Sequence, residues 1–483
     1  MRLRRWTVIG AATLVLSAAT TSAHADGPVP GSKAWQSRDD QNQADAWGRV
    51  FGPGGQLKNP NYLAGLLSQV GPLTVAVWAA QAKRLNRPSV TLGTIFPPAN
   101  IGNPLRAGWS GRRGRSVPIS FTNRYGALLQ GTVYAPLDGA RDPYSHRLLK
   151  GPFPGVVIAT GSVQGTERMY TWLGQDLAER GYVVLTYDVQ GQGRSETLPH
   201  LGTKADLPFC DFTAKPLPGE AGGCPGVPFQ QTANFVYGTE DAIGFFQATP
   251  GRPWANRAKG SAHVDAYNPF WQLFDHSPDP RTVTKGRTNR LAVIGHSLGA
   301  AAVTYVQGVD RRVETVVALD KLWPNRAAPW YAEPSVPALA LQSEYGFLTQ
   351  VFTTRPDPAR EKNTGFAAWA AAGVDSMLVV PRASTHLDYT DIPLVLPASR
   401  YGQDLSSAYT QAWLDKYLKH DPAADRVLLG RTLHYLEPTA VGVWSPVTLH
   451  RETSLSFYFC SAYRLHRADG TLADNPDIAR VGC

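Results

Sequence analysis

The chain has 483 residues, of which 43% are hydrophobic and 18% charged, and its formal net charge at pH 7 is +9. This length and apolar content predict one large hydrophobic core, alone or with extensions. The positive charge is spread along the chain, and its densest cluster, RRGR at 112–115, is typical of a solvated loop. The composition therefore excludes a nucleic-acid groove, and we predict no nucleic-acid partner.

Residues 1–25 have the three features of an export signal in the required order. Three arginines among the first five residues precede the short apolar run TVIGAATLVLSAA, and Ala-His-Ala at 23–25 fits the small-X-small cleavage pattern. A buried N-terminal helix is the alternative. The pair Arg4 and Arg5 leaves both the general and the twin-arginine export routes open. We predict a secreted, soluble mature chain with no integral membrane segment.

Residues 26–115 predict an N-terminal extension packed on the main domain. The segment is polar at first, has an apolar helical pattern at 62–85, and is then rich in glycine and proline. At the other end of the chain, we treat residues 426–483 as a C-terminal tail.

Between these ends, residues 116–425 alternate strand and helix signals. Residues 116–122 and 128–136 flank the turn NRYG and predict an antiparallel hairpin. The strands that follow are continuous Val, Ile and Leu runs, which are typical of parallel strands covered on both faces. The fold class is therefore α/β, with a mostly parallel, doubly wound sheet. The predicted strands are 155–160, 182–187, 291–294, 314–319, 337–342 and 376–380, with a helix near 171–181.

Residues 196–285 interrupt this alternation and predict an inserted cap or lid over a binding cleft. The segment is rich in proline, glycine and aromatic residues, and a loop of this length is expected to be functional or locally folded. A decorative insertion is the alternative. The aromatic clusters PFCDF and NPFWQLF either line an apolar acyl pocket or pack the cap itself.

The four cysteines predict two disulfides, because an exported chain folds in an oxidising environment. Three pairings exist, and the sequential one, Cys210 with Cys224 and Cys460 with Cys483, closes short loops. Metal binding is less favoured, since the sequence has neither a Cys-X-X-Cys spacing nor a His-Glu-X-X-His motif. GQGRSE at 191–196 also lacks the third glycine of a dinucleotide fingerprint. We predict no metal and no cofactor.

Residues 291–303, LAVIGHSLGAAAV, combine a buried strand, a Gly-X-Ser-X-Gly turn and a helix. A sharp turn of this kind raises the serine hydroxyl at the carboxyl edge of a sheet and leaves room only for very small flanking residues. The five-residue pattern alone arises by chance in glycine-rich chains, but a chance match needs no strand before it and no helix after it. Ser297 is therefore predicted to be a nucleophile.

A serine nucleophile needs a base, and His386 follows the last predicted strand by a short loop, so it should emerge at the same sheet edge. The histidine in turn needs a carboxylate. Asp320 ends the strand after the nucleophile, Glu344 follows the next strand, and both keep the order Ser, acid, His. The residues alone leave the two acids open. The oxyanion should be bound by the backbone amides of Leu298 and of Ser162, in the loop after the first parallel strand.

These residues resemble the α/β-hydrolase fold, and more narrowly the branch of plasma-type platelet-activating-factor acetylhydrolases and bacterial secreted esterases and lipases. The likeness is carried by FPGVVIATGSVQG, QDLAERGY, GHSLGAAA, ALDKLWP, VPALALQSEYGF and THLDYTD, within roughly residues 150–190 and 290–390. In that branch the acid stands where Asp320 stands here, so the resemblance favours Asp320 over Glu344. The chain departs from the family at Thr160-Gly161, where the family has His-Gly, and at DVQGQGRS, which is more similar to general esterases and peptidases.

Together these patterns predict a secreted serine hydrolase that cleaves carboxylic esters through an acyl-enzyme, with Ser297, His386 and Asp320 as its triad. The expected substrate is a small-molecule, lipid or polyester ester. One alternative is a peptidase of the same fold, although no acidic pair that would hold a peptide terminus is recognisable in the sequence. The other alternative is a non-catalytic binding protein, which an organophosphate label would leave unmodified.

Overall fold

The computed structural model describes residues 31–83, 91–162, 166–197, 232–258, 265–277, 290–324, 326, 330–346 and 364–482. The predicted export signal lies outside these ranges, as do Cys210, Cys224 and Cys483, so export and the disulfide pairing stay predictions. Much of the predicted insertion at 196–285 also lies outside the described residues.

A ten-stranded sheet runs through the described part of the chain with helices on both faces, which confirms the predicted α/β class. The strands are β1 (Gly114–Thr122), β2 (Leu128–Pro136), β3 (Gly155–Ala159), β4 (Val183–Tyr187), β5 (Leu291–His296), β6 (Thr315–Leu319), β7 (Ala338–Leu341), β8 (Ser376–Val379), β9 (Thr432–Ala440), β10 (Val443–His450), β11 (Ala462–His466) and β12 (Leu472–Asn475). The spatial order is β1-β2-β4-β3-β5-β6-β7-β8-β11-β12, and β9 pairs with β10 in a separate hairpin. The six strands from β4 to β8 in this order are parallel, and antiparallel strands complete both edges.

The central strands form where the sequence predicts them, because their Val, Ile, Leu and Ala side chains are buried on both faces. In β3, Val156 and Ile158 enter one hydrophobic cluster, whereas Val157 and Ala159 enter another. Since successive side chains of a strand point to opposite faces, the sheet separates two cores. The predicted hairpin is also confirmed, with β1 and β2 paired antiparallel along their full lengths.

Helices cover both cores. They are α1 (Lys33–Asp45), α2 (Gly48–Phe51), α3 (Pro60–Ala82), α4 (Leu92–Ile95), α5 (Thr171–Glu179), α6 (Thr232–Phe246), α7 (Leu298–Val309), α8 (Thr364–Ala371), α9 (Tyr401–Tyr417), α10 (Ala424–Leu429) and α11 (Arg451–Ser454). Residues of α5 and α9 fill the cluster on one face of the sheet, and residues of α6 and α7 fill the cluster on the other face.

Helix α6 lies inside the segment predicted as a cap, and it packs against the sheet. Its Phe246 is buried in the same cluster as β3 and β5. The ring of Phe274 lies 4.9 Å from that of Phe246, and both rings contact Gly155 at the first residue of β3. Phe274 of NPFWQLF therefore packs at the amino edge of the sheet, away from the carboxyl edge, and PFCDF lies outside the described residues.

Strands β11 and β12 belong to the segment treated as a tail, in which the sequence analysis assigned no strands. β11 pairs antiparallel with β8, with Ala462 opposite Leu378 and Arg464 opposite Ser376. The C-terminal segment therefore completes the central sheet.

Helix α3 confirms the helical pattern predicted at 62–85, and it begins slightly earlier. Asn59 caps it by accepting the Asn61 amide at 3.0 Å, and Pro60 occupies the first helical position. Only Tyr62 and Leu66 of its residues are buried. Among the described residues, this is the one helix that is long and apolar enough to cross a membrane by length and composition. The expected absence of a membrane segment stays a prediction.

Candidate active site

Ser297 stands at the turn between β5 and α7. Its φ of 56° and ψ of −120° are unusual for a non-glycine residue, and backbone strain of this kind is concentrated at functional sites. Its amide donates to the Leu319 carbonyl at 3.1 Å, which ties the turn to the end of β6. Ser297 is half-buried, whereas every residue of β5 is buried. The strand, turn and helix predicted at 291–303 are confirmed, and the serine is accessible at the carboxyl edge.

The glycines around Ser297 are required by space. A Cβ at Gly295 would overlap the Gly299 carbonyl, and a Cβ at Gly299 would clash with the backbone at the end of β3. On the loop after β3, a Cβ at Gly161 would lie 2.9 Å from Nδ1 of His296 and 3.2 Å from Cβ of Ser297. This close backbone packing brings the predicted oxyanion loop against the serine.

His386 lies in the loop after β8, and its Nδ1 is in hydrogen-bond contact with Oδ2 of Asp320. The histidine and aspartate side chains are 13% and 11% exposed, so the pair is shielded from most water but remains reachable. The His386 ring centroid lies 4.5 Å from that of His296, the residue before Ser297. Because Asp320 engages Nδ1, Nε2 is the nitrogen that can take a proton from a serine hydroxyl.

Asp320 directly follows β6 with a φ of 56°, and Lys321 also has a positive φ, of 116°. Ser343 donates to Oδ1 of Asp320 from its amide at 2.9 Å and from its hydroxyl at 2.7 Å. Burial by itself raises the pKa of Asp320, but attraction to His386 and the hydrogen bonds from His386 and Ser343 outweigh it and hold the pKa below its ordinary value. Asp320 is therefore ionised at neutral pH and can stabilise an imidazolium.

Glu344, the other candidate acid, lies in a different cluster. Its Oε2 accepts hydrogen bonds from the Asn42 side chain at 2.5 Å and from the Ala383 amide at 2.7 Å. Burial raises its pKa despite these donors. Across the described residues, no hydrogen bond joins Glu344 to His386. The structure thus brings Asp320 to His386 and places Glu344 between α1 and the chain after β8.

The two predicted oxyanion donors lie on the segments that meet at Ser297. Leu298 is the first residue of α7, where amides have no helical carbonyl to reach. In the loop after β3, the Gly161 amide donates to the Tyr170 hydroxyl at 2.9 Å. The Ser162 amide has no hydrogen-bond partner in the described part of the chain. Among the described residues, Leu298 and Ser162 therefore offer amides that an oxyanion could engage.

A buried chain of hydrogen bonds connects these parts of the site. The Tyr170 hydroxyl lies 2.7 Å from Nδ1 of His296, and Nε2 of His296 lies 3.0 Å from the His386 carbonyl oxygen. Since a carbonyl only accepts, Nε2 carries the proton and Nδ1 accepts from Tyr170. Burial lowers the pKa of His296 to about 3, so the ring is neutral near pH 7 and this pattern of donors persists. His296 thus links the Gly161 loop to the His386 backbone.

DVQGQGRS at 188–195 forms a turn beneath the loop after β3. The Asp188 carboxylate accepts the amides of Glu167 at 2.6 Å and Arg194 at 2.9 Å, and a Cβ at Gly193 would lie 2.5 Å from that carboxylate. The Gln192 side chain donates to the Thr160 hydroxyl at 3.3 Å. The segment DVQGQGRS, in which the chain departs from the family pattern, therefore packs against the loop after β3 and helps to hold it in place.

Four residues of the site, Tyr170, His296, Ser343 and Asn42, are not predicted from the sequence. His296 and Ser343 stand within quoted motifs, GHSLG and QSEYGF, which was a usable signal. Tyr170 carries no such signal, because its partner His296 is 126 positions away. As for metals, the described residues contain no group of three or more His, Cys, Asp or Glu that could hold an ion.

Comparison with known proteins adds little to this geometry. No family model matches the chain. Over 96 residues the chain is 31% identical to an uncharacterized protein of Pseudomonas aeruginosa. This match covers 20% of the chain and spans only 24% of the relative's length.

Proposed function

We propose that the chain is a secreted serine hydrolase of the α/β-hydrolase type that cleaves carboxylic esters. The observation that carries the proposal is the contact between His386 and Asp320 beside the strained turn at Ser297. The three residues follow three different strands of one sheet, β5, β6 and β8, in the chain order Ser, Asp, His. Acyl transfer needs this combination, because the serine requires a base and the base requires an acid.

In the proposed reaction, Oγ of Ser297 attacks the ester carbonyl while Nε2 of His386 takes the hydroxyl proton. Asp320 stabilises the resulting imidazolium. The oxyanion accepts hydrogen bonds from the amides of Leu298 and Ser162. The alcohol leaves with the proton from His386, and the acyl group stays on Ser297. Water then gives a proton to His386 as it attacks the acyl-enzyme. His386 returns that proton to Oγ of Ser297 as the carboxylic acid leaves.

Resemblance to the secreted esterase and platelet-activating-factor acetylhydrolase branch is part of this proposal. The placement of the acid supports it, because His386 pairs with Asp320 after β6, where that branch has its acid. Because the chain departs from the acetylhydrolase pattern at Thr160-Gly161 and at DVQGQGRS, we do not restrict the substrate to acetyl esters. We propose carboxylic esters as the substrate class.

The test is the Ser297→Ala variant of the mature chain, assayed on p-nitrophenyl esters from acetate to palmitate. We expect kcat to fall by at least about 10⁴-fold with the fold retained by circular dichroism. Ser68→Ala, on the exposed side of α3, is the matched control and should retain wild-type kcat. Near-wild-type turnover by Ser297→Ala would exclude this serine from the mechanism.

The wild type and the Ser297→Ala variant also distinguish an esterase from a peptidase and from a binding protein. Aminoacyl anilides measured in parallel separate an esterase from a peptidase, and turnover of anilides alone would contradict ester cleavage. An organophosphate should label the wild type at Ser297 and leave Ser297→Ala unlabelled. A folded wild type that stays unlabelled would favour a binding protein.

A further inference from the structure

Helix α3 presents an apolar stripe to solvent. Leu67, Val75 and Trp78 are 74%, 68% and 56% exposed, and with Gly71 and Ala82 they follow the spacing of one helical face. The helix contains no charged residue over its 23 positions. A helix that is apolar all round is ordinarily buried in a core or in lipid, so this exposed face calls for a partner.

Exposed apolar side chains are concentrated around this helix. Eight of the fifteen large hydrophobic residues that are exposed in the described chain lie between positions 51 and 96. They include Ile95 at 69% and Phe96 at 54%, from α4 and the residue after it. The neighbourhood of α3 therefore carries more exposed apolar surface than the rest of the described molecule.

The sequence of this region is rich in cations. Residues 46–137 contain ten Lys or Arg and no Asp or Glu, and five of these arginines pair with carboxylates from other parts of the chain. Lys58 and Lys83 stand just outside the two ends of α3, are exposed, and make no ion pair with the described residues. A tryptophan on the exposed face and a lysine beyond each end suit this apolar helix to the headgroup region of an anionic bilayer, where indole rings and cations are favoured.

The packing of α3 favours lying on a bilayer over crossing it. Its first half is held to the domain, because Tyr62 and Leu66 pack on Leu105 and the Asn59 side chain donates to the Thr439 carbonyl at 3.0 Å. A second copy of the chain fits this face poorly. An antiparallel pair of α3 helices would bring the Lys58 end of one copy to the Lys83 end of the other, where like charges repel.

We propose that the exposed stripe of α3 docks the protein on an anionic lipid bilayer surface. Here the stripe means Leu67, Gly71, Val75, Trp78 and Ala82. The helix lies in the plane of the headgroups with this stripe inserted, and the flanking lysines contact lipid phosphates.

The experiment measures binding of the mature chain to vesicles of phosphatidylglycerol and, separately, of phosphatidylcholine, by cosedimentation. The protein carries Ser297→Ala, so binding is measured without turnover and does not depend on the proposed function. Leu67→Ser tests the stripe, and Leu472→Ser, at a 42% exposed leucine on β12, is its matched control. Lys83→Glu tests the charge.

We expect tight binding to phosphatidylglycerol only. Leu67→Ser should weaken it about tenfold and Lys83→Glu at least about fivefold, whereas Leu472→Ser should leave it unchanged. Equal binding to both lipids, or wild-type binding by Leu67→Ser, would overturn the proposal. A dimer in solution that Leu67→Ser dissociates would assign the face to a second copy instead.

The two proposals fail separately. Hydrolysis of a soluble p-nitrophenyl ester by an otherwise wild-type Leu67→Ser chain reports on the ester hydrolase alone and should be unchanged. Vesicle binding without any ester hydrolysis would leave docking intact and remove the proposed function. Hydrolysis without vesicle binding would do the reverse.

Discussion

Strands β6 and β7 are parallel neighbours, and each is followed by a largely buried carboxylate. The pKa values of these two carboxylates are shifted in opposite directions. After β6, the pKa of Asp320 is held below its ordinary value by His386 and Ser343. After β7, burial raises the pKa of Glu344, whose donors are the Asn42 side chain and the Ala383 amide. Position at the end of a strand therefore does not decide which carboxylate can support a base. The segments that contact the carboxylate decide it, since one brings an imidazole to Asp320 and the others bring only neutral donors to Glu344.

The largest effect is expected from Asp320→Asn, which tests directly whether Asp320 and Glu344 differ in function. The amide cannot stabilise an imidazolium and permits the wrong tautomer of His386, so kcat should fall about 10⁴-fold while KM changes little. Steady-state kinetics on p-nitrophenyl acetate measure this, with circular dichroism as the check of folding. A loss smaller than that of Glu344→Gln would assign the acid role to Glu344.

The stability of the two variants should respond to pH in opposite ways. Because the pKa of Asp320 is lower in the folded chain, its ionised form stabilises the fold above about pH 4, and this contribution is lost as pH falls further. Asp320→Asn should therefore cost about 2 kcal/mol at pH 7 and less at pH 3.

The pKa of Glu344 is raised, so its charge becomes a cost as pH rises above about 4. The free energy of unfolding of Glu344→Gln should therefore rise relative to that of the wild type between pH 4 and 7. Urea unfolding at pH 3, 5 and 7 gives both trends. Parallel trends for the two variants would contradict the distinction.

Two tyrosines lie beside His296, and they differ in how they contact it. Tyr170 is hydrogen-bonded to the ring, whereas Tyr389 packs beside it. Tyr170→Phe removes the acceptor of the Gly161 amide and the donor to Nδ1 of His296, so kcat should fall about tenfold. Tyr389→Phe is the matched control. Its ring lies 5.7 Å from that of His296, and its hydroxyl has no hydrogen-bond partner within the described chain.

Tyr389→Phe should keep kcat within about twofold. Equal losses from the two tyrosine variants would show that bulk packing matters more than the hydrogen-bond chain. Both rates are read on the ester that the wild type cleaves fastest.

A small kinetic effect is also expected from Glu344→Gln. Its side chain holds α1 and the chain after β8, and it has no bond to His386, so kcat should stay within about threefold of wild type. The ratio of kcat in Glu344→Gln to that in Asp320→Asn, measured on one ester, compares the two carboxylates directly. A ratio near one would show that they do not differ in their contribution to turnover.

Much of the central architecture could be predicted from the sequence. Buried parallel strands are continuous apolar runs of about five residues, and a Gly-X-Ser-X-Gly turn constrains its own neighbourhood, as the contacts of Gly295 and Gly299 show. The choice between Asp320 and Glu344 could not be made from the residues alone. It depends on contacts across 66 positions for His386 and 302 positions for Asn42, and no local pattern encodes them.

The C-terminal strands were harder to predict than the central ones. β11, AYRLH, is exposed on part of its length, so its apolar signal is weak. Its pairing with β8 depends on a strand more than 80 residues earlier in the chain. Helix α6 was hidden for another reason, since it lies in a segment whose prolines, glycines and aromatics dominate the composition.

The tie between the chain after β8 and the C-terminal segment has a consequence for proteolysis. The Val380 amide donates to the Ser461 hydroxyl at 2.9 Å, and the Arg382 amide donates to the Ser454 carbonyl at 2.8 Å. A protease that cleaved at residue 451 and removed the chain beyond it would leave an edge of the sheet unprotected and release the anchor of the imidazole at 386. Loss of the proposed esterase activity should then track the cleavage of a site remote in sequence from Ser297, Asp320 and His386.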